Sequence, residues 1–263
     1  MAMNSWPRLL LWITTTIVLI FMVLPIVIVV IMSFSNSRFL TFPPPAVSLR
    51  WYEAYFGSPD WMDATWNSFL LAVIATVVTV PIGTAAAYAA NISQSKMVRR
   101  LQLLLLTPVM VPVIILAAGI YMVYAQVGLV ATKTGLVCAY AMMNLPYVFI
   151  SVLAGLRSFD MNQEDVARSL GVNRFTAFMK VTLPQIRPSV ITGALFAFIG
   201  ALDETVVSLF IAGGENQTLP RRMFMSLRNE IDPTIASISS VLITISFALM
   251  IMSSLRGKRA HAV

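Results

Sequence analysis

One cysteine and one histidine in 263 residues leave little room for metal or nucleophilic chemistry. A lone Cys138 excludes a disulfide framework, and its apolar surroundings predict a small buried packing residue. His261 stands in a basic tail, so neither a histidine metal cluster nor a catalytic triad can be assembled. No catalytic and no metal-binding residue is expected. Charge is scarce too: Asp, Glu, Lys and Arg make up 11% of the chain, against about 25% in a soluble domain. No Gly-x-x-x-x-Gly-Lys-Ser/Thr phosphate loop occurs, so any nucleotide-driven step must be powered by another polypeptide.

What is present is apolar. Hydrophobic residues reach 58% and mean hydropathy is +0.83, which predicts an all-α integral membrane protein in contact with lipid. The net charge of +7 does not imply nucleic acid, because most basic residues flank apolar runs, as membrane orientation requires. The run from Leu9 to about Met32 is too long for a signal peptide and is followed by no small-residue cleavage site, so it reads as a retained anchor.

A helix needs about 20 residues to cross a hydrocarbon core. Six segments qualify: about 9–33, 67–90, 101–126, 135–156, 188–212 and 235–255. Gln126, Lys133 and several glycines blur the boundary between the third and fourth. Pro25, Pro81, Pro108, Pro112 and Pro146 predict bent helices in a bundle. Gly83, Ala85, Ala86, Ala87, Ala89 and Ala90 predict close backbone approach. With both termini cytoplasmic, twelve of the 18 basic residues face inward: Arg8, Lys96, Arg99, Arg100, Arg157, Arg168, Arg174, Lys180, Arg187, Arg256, Lys258 and Arg259. The other six (Arg38, Arg50, Lys133, Arg221, Arg222 and Arg228) face out, which satisfies the positive-inside rule. No repeat or low-complexity linker divides residues 1–263, so a single transmembrane domain is expected. The outer loops, about 34–66 and 213–234, hold Trp51, Tyr52, Tyr55, Trp61 and Trp66. These read chiefly as interfacial anchors, with docking of an external partner as the alternative.

The loop of about 158–187 is a polar island with helix punctuation. Asp160 or Asn162 can cap a helix, and Glu164 and Asp165 suit its first turn. Val166 and Leu170 share a face, with Ala167 beside them. Gly171 suits a C′ position with positive φ. Asn173 can cap a second helix, which Pro184 should end or interrupt. The result would be a small apolar knob ringed by charge, although the periodicity alone fits an ordinary interfacial helix equally well.

These residues resemble the signature of binding-protein-dependent ATP-binding cassette importer permeases: Glu-Ala-Ala, three residues, Gly, nine residues, Ile-x-Leu-Pro. Here it falls on Asp165-Val166-Ala167, Gly171 and Val181-Thr182-Leu183-Pro184, with both gaps kept. Asp replaces Glu and Val replaces the first Ala. The resemblance implies a six-helix bundle of the type I importer kind with a cytoplasmic coupling helix, residues 164–171, between the fourth and fifth spans. It also implies a bacterial inner-membrane location and three partners: a dimeric cytoplasmic ATP-binding subunit, a second permease subunit, and a periplasmic or extracellular substrate-binding protein. The second permease is expected to be a distinct homologue, with a homodimer left open. ATP and Mg would be used by the partner ATPase, with no cofactor held by this chain.

Asp203 and Glu204 lie in the fifth apolar segment, where a carboxylate costs at least ~2.5 kcal/mol. On a helix they would point about 100° apart, so one is expected to face a pathway and the other a neighbour. They could equally be structural hydrogen-bonders between subunits. The stretch Leu202–Gly214, followed by Thr218-Leu219-Pro220, resembles the polyamine (spermidine/putrescine) branch of the family. Branches that import iron, opines or aminophosphonates look similar. Readings from other classes are an ion-coupled secondary carrier using the two acids as a proton or cation site, and a non-transporting scaffold or receptor. Such carriers are often longer, with repeated halves, and neither reading needs the knob.

Overall fold

The computed structural model describes residues 5–93, 95–229, 232–245 and 247. The second half of the last apolar segment, the basic residues Arg256, Lys258 and Arg259, and His261 lie outside the described residues. Among the described residues the architecture is helical, with one isolated antiparallel bridge between Ser35 and Val47.

The chain divides into two compact units, 1–62 with 223–263, and 63–222. In the first, α1 (Ser5–Ser33) carries Pro25 without breaking, and it leaves Leu9 to Leu24 as an unburied apolar surface suited to lipid or another helix. The expected outer loop is partly helical, containing α2 (Arg50–Gly57). Most of its aromatics are used in packing, which corrects the anchor reading. Tyr55 and Trp61 are buried. The Tyr52 hydroxyl bridges Ser33 Oγ at 2.7 Å and Ser240 Oγ at 3.1 Å, and Trp51 Nε1 donates to the Ser37 carbonyl. Ser240 belongs to a further helix, Thr234–Ile245, the described part of the sixth apolar segment.

In the second unit, α3 (Pro59–Ile92) begins four residues before the boundary and runs 34 residues. That is about 50 Å of helix, more than the ~30 Å of a hydrocarbon core, and Tyr88 lies in its last two turns. The third apolar segment is not one straight helix. It is α4 (Lys96–Met110) and α5 (Val113–Val127), bent by 109° at Val111-Pro112. Pro112 lacks an N–H and forces Val111 into extended backbone, ψ 134°. Pro81, Pro108 and Pro146 stay inside their helices.

Helix α6 (Lys133–Ser158) is the centre of this unit, packing through small residues on a later helix, α9 (Leu183–Leu202). A Cβ added at Gly193 would stand 3.1 Å from Val148 Cα, and one at Gly200 would run into Asn144 Oδ1. A Cβ at Gly83 would meet Val148 Cγ1 at 2.7 Å, so the expected close approach at that glycine is present. Two buried clusters flank these crossings. One holds Leu71, Leu136, Tyr140 and Ile211; the other holds Phe149, Val152, Leu156 and Ile186. Cys138 is exposed on the outer side of α6, contrary to the expectation of a packed interior residue, because its helix buries the neighbouring Leu136, Ala139 and Tyr140 instead.

After α6 come α7 (Asn162–Ser169), α8 (Arg174–Ala177), a π turn (Phe178–Thr182) and α9 (Leu183–Leu202). Pro184 does not end the second helix. The wider π turn precedes it, so its missing N–H falls in the first turn of α9, where it costs little. Arg174–Leu202 is therefore one apolar helical stretch. The fifth segment does break further on, between α9 and α10 (Val206–Ile211). The loop after α10 is held by Asn67 Nδ2 on the Glu215 carbonyl and by Ser68 Oγ accepting from Leu219 N, at the start of α11 (Leu219–Asn229).

Among the described residues four helices are long and apolar enough to cross a membrane, five if the bent pair counts as one span.

Candidate functional site

The knob forms as the punctuation predicts, for local reasons. Asp160 Oδ1 accepts from Asn162 N at 3.1 Å, so of the two candidate caps Asp160 starts the turn. Glu164 and Asp165 occupy the first turn of α7. The helix ends in a Schellman motif: Gly171 N donates to the Arg168 carbonyl and Val172 N to the Ala167 carbonyl. Gly171 has φ +88°, which is why a residue without Cβ sits there. Asn173 Oδ1 caps α8 by accepting from Thr176 N at 2.8 Å.

The outer face of the knob is apolar. Val166 is 60% exposed and Leu170 80%. Phe175, on the far side of the glycine turn, is 74% exposed and is a third open apolar side chain that the helix punctuation does not mark. Its signal was legible: an aromatic residue in a polar loop, just after a capping Asn. Asp165 holds Arg168 at 3.1 Å on the rim, an exposed i,i+3 pair of little energetic weight. Ala167 is half-buried. Leu183 packs into the second buried cluster and Pro184 is exposed.

Glu164 turns the other way. It is 1% exposed and accepts hydrogen bonds from the Tyr88 hydroxyl of α3 and the Thr182 hydroxyl of the π turn. Tyr88 packs its ring on Phe178, centroids 4.7 Å apart. Beside them, Gln185 Nε2 donates to Gln163 Oε1 at 2.6 Å. Nothing in the sequence marks Tyr88 or Thr182 as partners of Glu164, because the pairing joins positions 76 and 18 residues apart.

The two acids of the fifth segment do not sit mid-helix. Asp203 follows the last residue of α9, its N–H still bonded to the Ile199 carbonyl at 3.0 Å, and its side chain is exposed. Glu204 folds back so that Oε1 accepts from Val207 N at 2.9 Å, capping α10. The expected 100° divergence is thus replaced by a break in which one carboxylate serves the backbone and the other is exposed. Among the described residues no three His, Cys, Asp or Glu side chains cluster to hold a metal.

Residues 79–260 match the family described as binding-protein-dependent transport system inner membrane component. The chain is similar to the spermidine/putrescine transport system permease protein PotC of Haemophilus influenzae, 28% identical over 240 residues that cover 91% of this chain and 93% of that protein. It is also similar to the putrescine transport system permease protein PotI of Escherichia coli, 26% identical, covering 85% and 82%. In fold it resembles a chain of a bacterial ABC transporter involved in import of the acidic polysaccharide alginate, with a TM-score of 0.73, 14% identity and 98% of both chains covered.

Proposed function

The chain belongs to the binding-protein-dependent transport system inner membrane components and is a non-catalytic permease subunit of an ABC importer; on that footing we propose that its cargo is a polyamine or another small organic cation. The observation that carries this reading is the break after α9, which leaves the Asp203 carboxylate exposed within an otherwise apolar segment. A carboxylate left open within an apolar segment attracts an ammonium group, and bearing one inside a membrane needs such a use. The relatives named for spermidine and putrescine support the choice. The test is uptake of labelled spermidine and putrescine by Asp203→Asn and Glu204→Gln variants of the whole importer. Loss with Asp203→Asn is expected, and unchanged uptake in both would remove the acids from the pathway. Identifying what the associated binding protein holds tests the cargo independently.

We further propose that α7 is the coupling helix, with Val166, Leu170 and Phe175 inserted in a groove of the cytoplasmic ATP-binding subunit. In this reading residues 1–263 act as one permease domain with both termini cytoplasmic, paired with a second, distinct permease subunit. ATP and Mg act on the partner ATPase, and closure of its dimer moves α7 as a rigid body. An external binding protein delivers cargo to the opposite side. The apolar residues at 60–80% exposure support this, since a small polar loop gains nothing by displaying them to water. Purification in mild detergent tests it: the ATPase subunit should accompany the wild type and be lost from Leu170→Asp.

A further inference from the structure

We propose that Glu164 is the positioning residue that ties α7 to α3, so that movement of the coupling helix reaches a span that the loop does not adjoin along the chain; this rests on the reading of α7 as the coupling helix. The chain itself attaches α7 to α6 through residues 159–161, and to the α8–π–α9 stretch through residues 170–173. A push on α7 therefore reaches α6 and α9 through backbone. It reaches α3 only through side chains, and Glu164 with Tyr88 is the hydrogen bond that makes this connection.

The chemistry suits a stiff link. A carboxylate that is 1% exposed must be satisfied wherever it moves, because leaving it unpaired in the interior is costly. Both its oxygens are used, Oε1 by Tyr88 and Oε2 by Thr182. Breaking either bond would leave a buried polar atom without its partner, which costs more than the bond itself contributes. Tyr88 is braced by the ring of Phe178, which restricts the freedom of its side chain to follow α7 independently of α3. Thr182 sits in the π turn, a non-standard helical register that recurs at functional sites. The Gln163–Gln185 bond reaches only α9 and cannot replace the α3 connection. An α7 of eight residues has little stability of its own, which makes such external fixing decisive.

The test uses the complete importer in proteoliposomes, with saturated binding protein, and measures cargo transported per ATP hydrolysed. Tyr88→Phe keeps the ring packing and removes only the hydroxyl. It is expected to leave the complex assembled and hydrolysing ATP, while transport per ATP falls by about fivefold or more, the scale set by losing one buried hydrogen bond. Glu164→Gln, which puts an NH2 donor where one of the two hydroxyl-accepting oxygens stands, should fall in the same direction with the complex intact. Wild-type transport per ATP in both variants would overturn the proposal, as would a Tyr88→Phe complex that simply fails to assemble. Leu170→Asp, run alongside, separates the two readings: if it keeps the ATPase attached and transport intact, α7 is not the coupling helix at all.

Discussion

Gly171 offers a test whose size can be worked from the backbone. Its φ is +88°, and a Cβ built there meets nothing within 4 Å. A substitution therefore costs no packing, and the penalty comes from its own dihedral angles. For an ordinary L-residue this is roughly 1–2 kcal/mol, less for Asn, which tolerates the left-handed region, and more for a β-branched residue. The cost falls on the two closing bonds of α7, Gly171 N to Arg168 and Val172 N to Ala167, 3.0 and 3.4 Å. A loss of 1–2 kcal/mol raises the frayed population of the helix by about 5- to 30-fold. Trypsin should report this at Arg168 and Arg174 in nanodisc-embedded protein, because cleavage tracks the open population when closing is fast. The expected order of cleavage rates is wild type, then Asn, Ala and Val at position 171. Gly119→Ala is the control: Gly119 lies inside α5, also with open space around it, so a Cβ there should be neutral or stabilising. If Gly171→Val is cut no faster than wild type, the helix end is not held by its glycine and the reasoning fails.

Three further outcomes can be checked directly. Gly200→Ala drives a methyl into Asn144 Oδ1 at the α6–α9 crossing, so it should cost about 1–3 kcal/mol and lower the melting temperature in detergent; an unchanged melting point would mean that the crossing is loose. Glu204→Ala removes the cap on Val207 N and should cost about 1 kcal/mol, whereas Glu204→Gln keeps an acceptor and should melt like the wild type. Phe175→Asp places charge on a 74% exposed apolar residue and should abolish recovery of the ATPase subunit while leaving the permease folded, as judged by monodisperse elution; full recovery would take Phe175 out of the contact.

Much of the knob was legible because its determinants are local. A residue without Cβ at 171, a short polar side chain at 173 and a carboxylate at 160 act on their own turn of backbone, so spacing alone places them. Prolines were only half legible. Pro25, Pro81, Pro108, Pro112 and Pro146 all removed a donor, yet only Pro112 broke its helix fully, at an extended Val111. The others remain in helices whose neighbours and flanking turns absorb the lost bond. The aromatics of the first outer loop misled for the opposite reason: an amphipathic ring suits an interface and a packed interior alike.

By itself the sequence determined the apolar helices, the position of the polar loop and the turn that closes it, because hydropathy and backbone preference belong to single residues and their near neighbours. Only the tertiary structure decided which way each acid faces. Glu164 and Asp165 are adjacent and chemically alike, but one is enclosed by hydroxyls from α3 and the π turn while the other stays on the rim with Arg168. Asp203 and Glu204 differ in the same manner, since the helix break turns one onto Val207 N and leaves the other exposed. The partners of a buried polar group are set by packing of distant segments, and that packing lies outside anything a local pattern encodes.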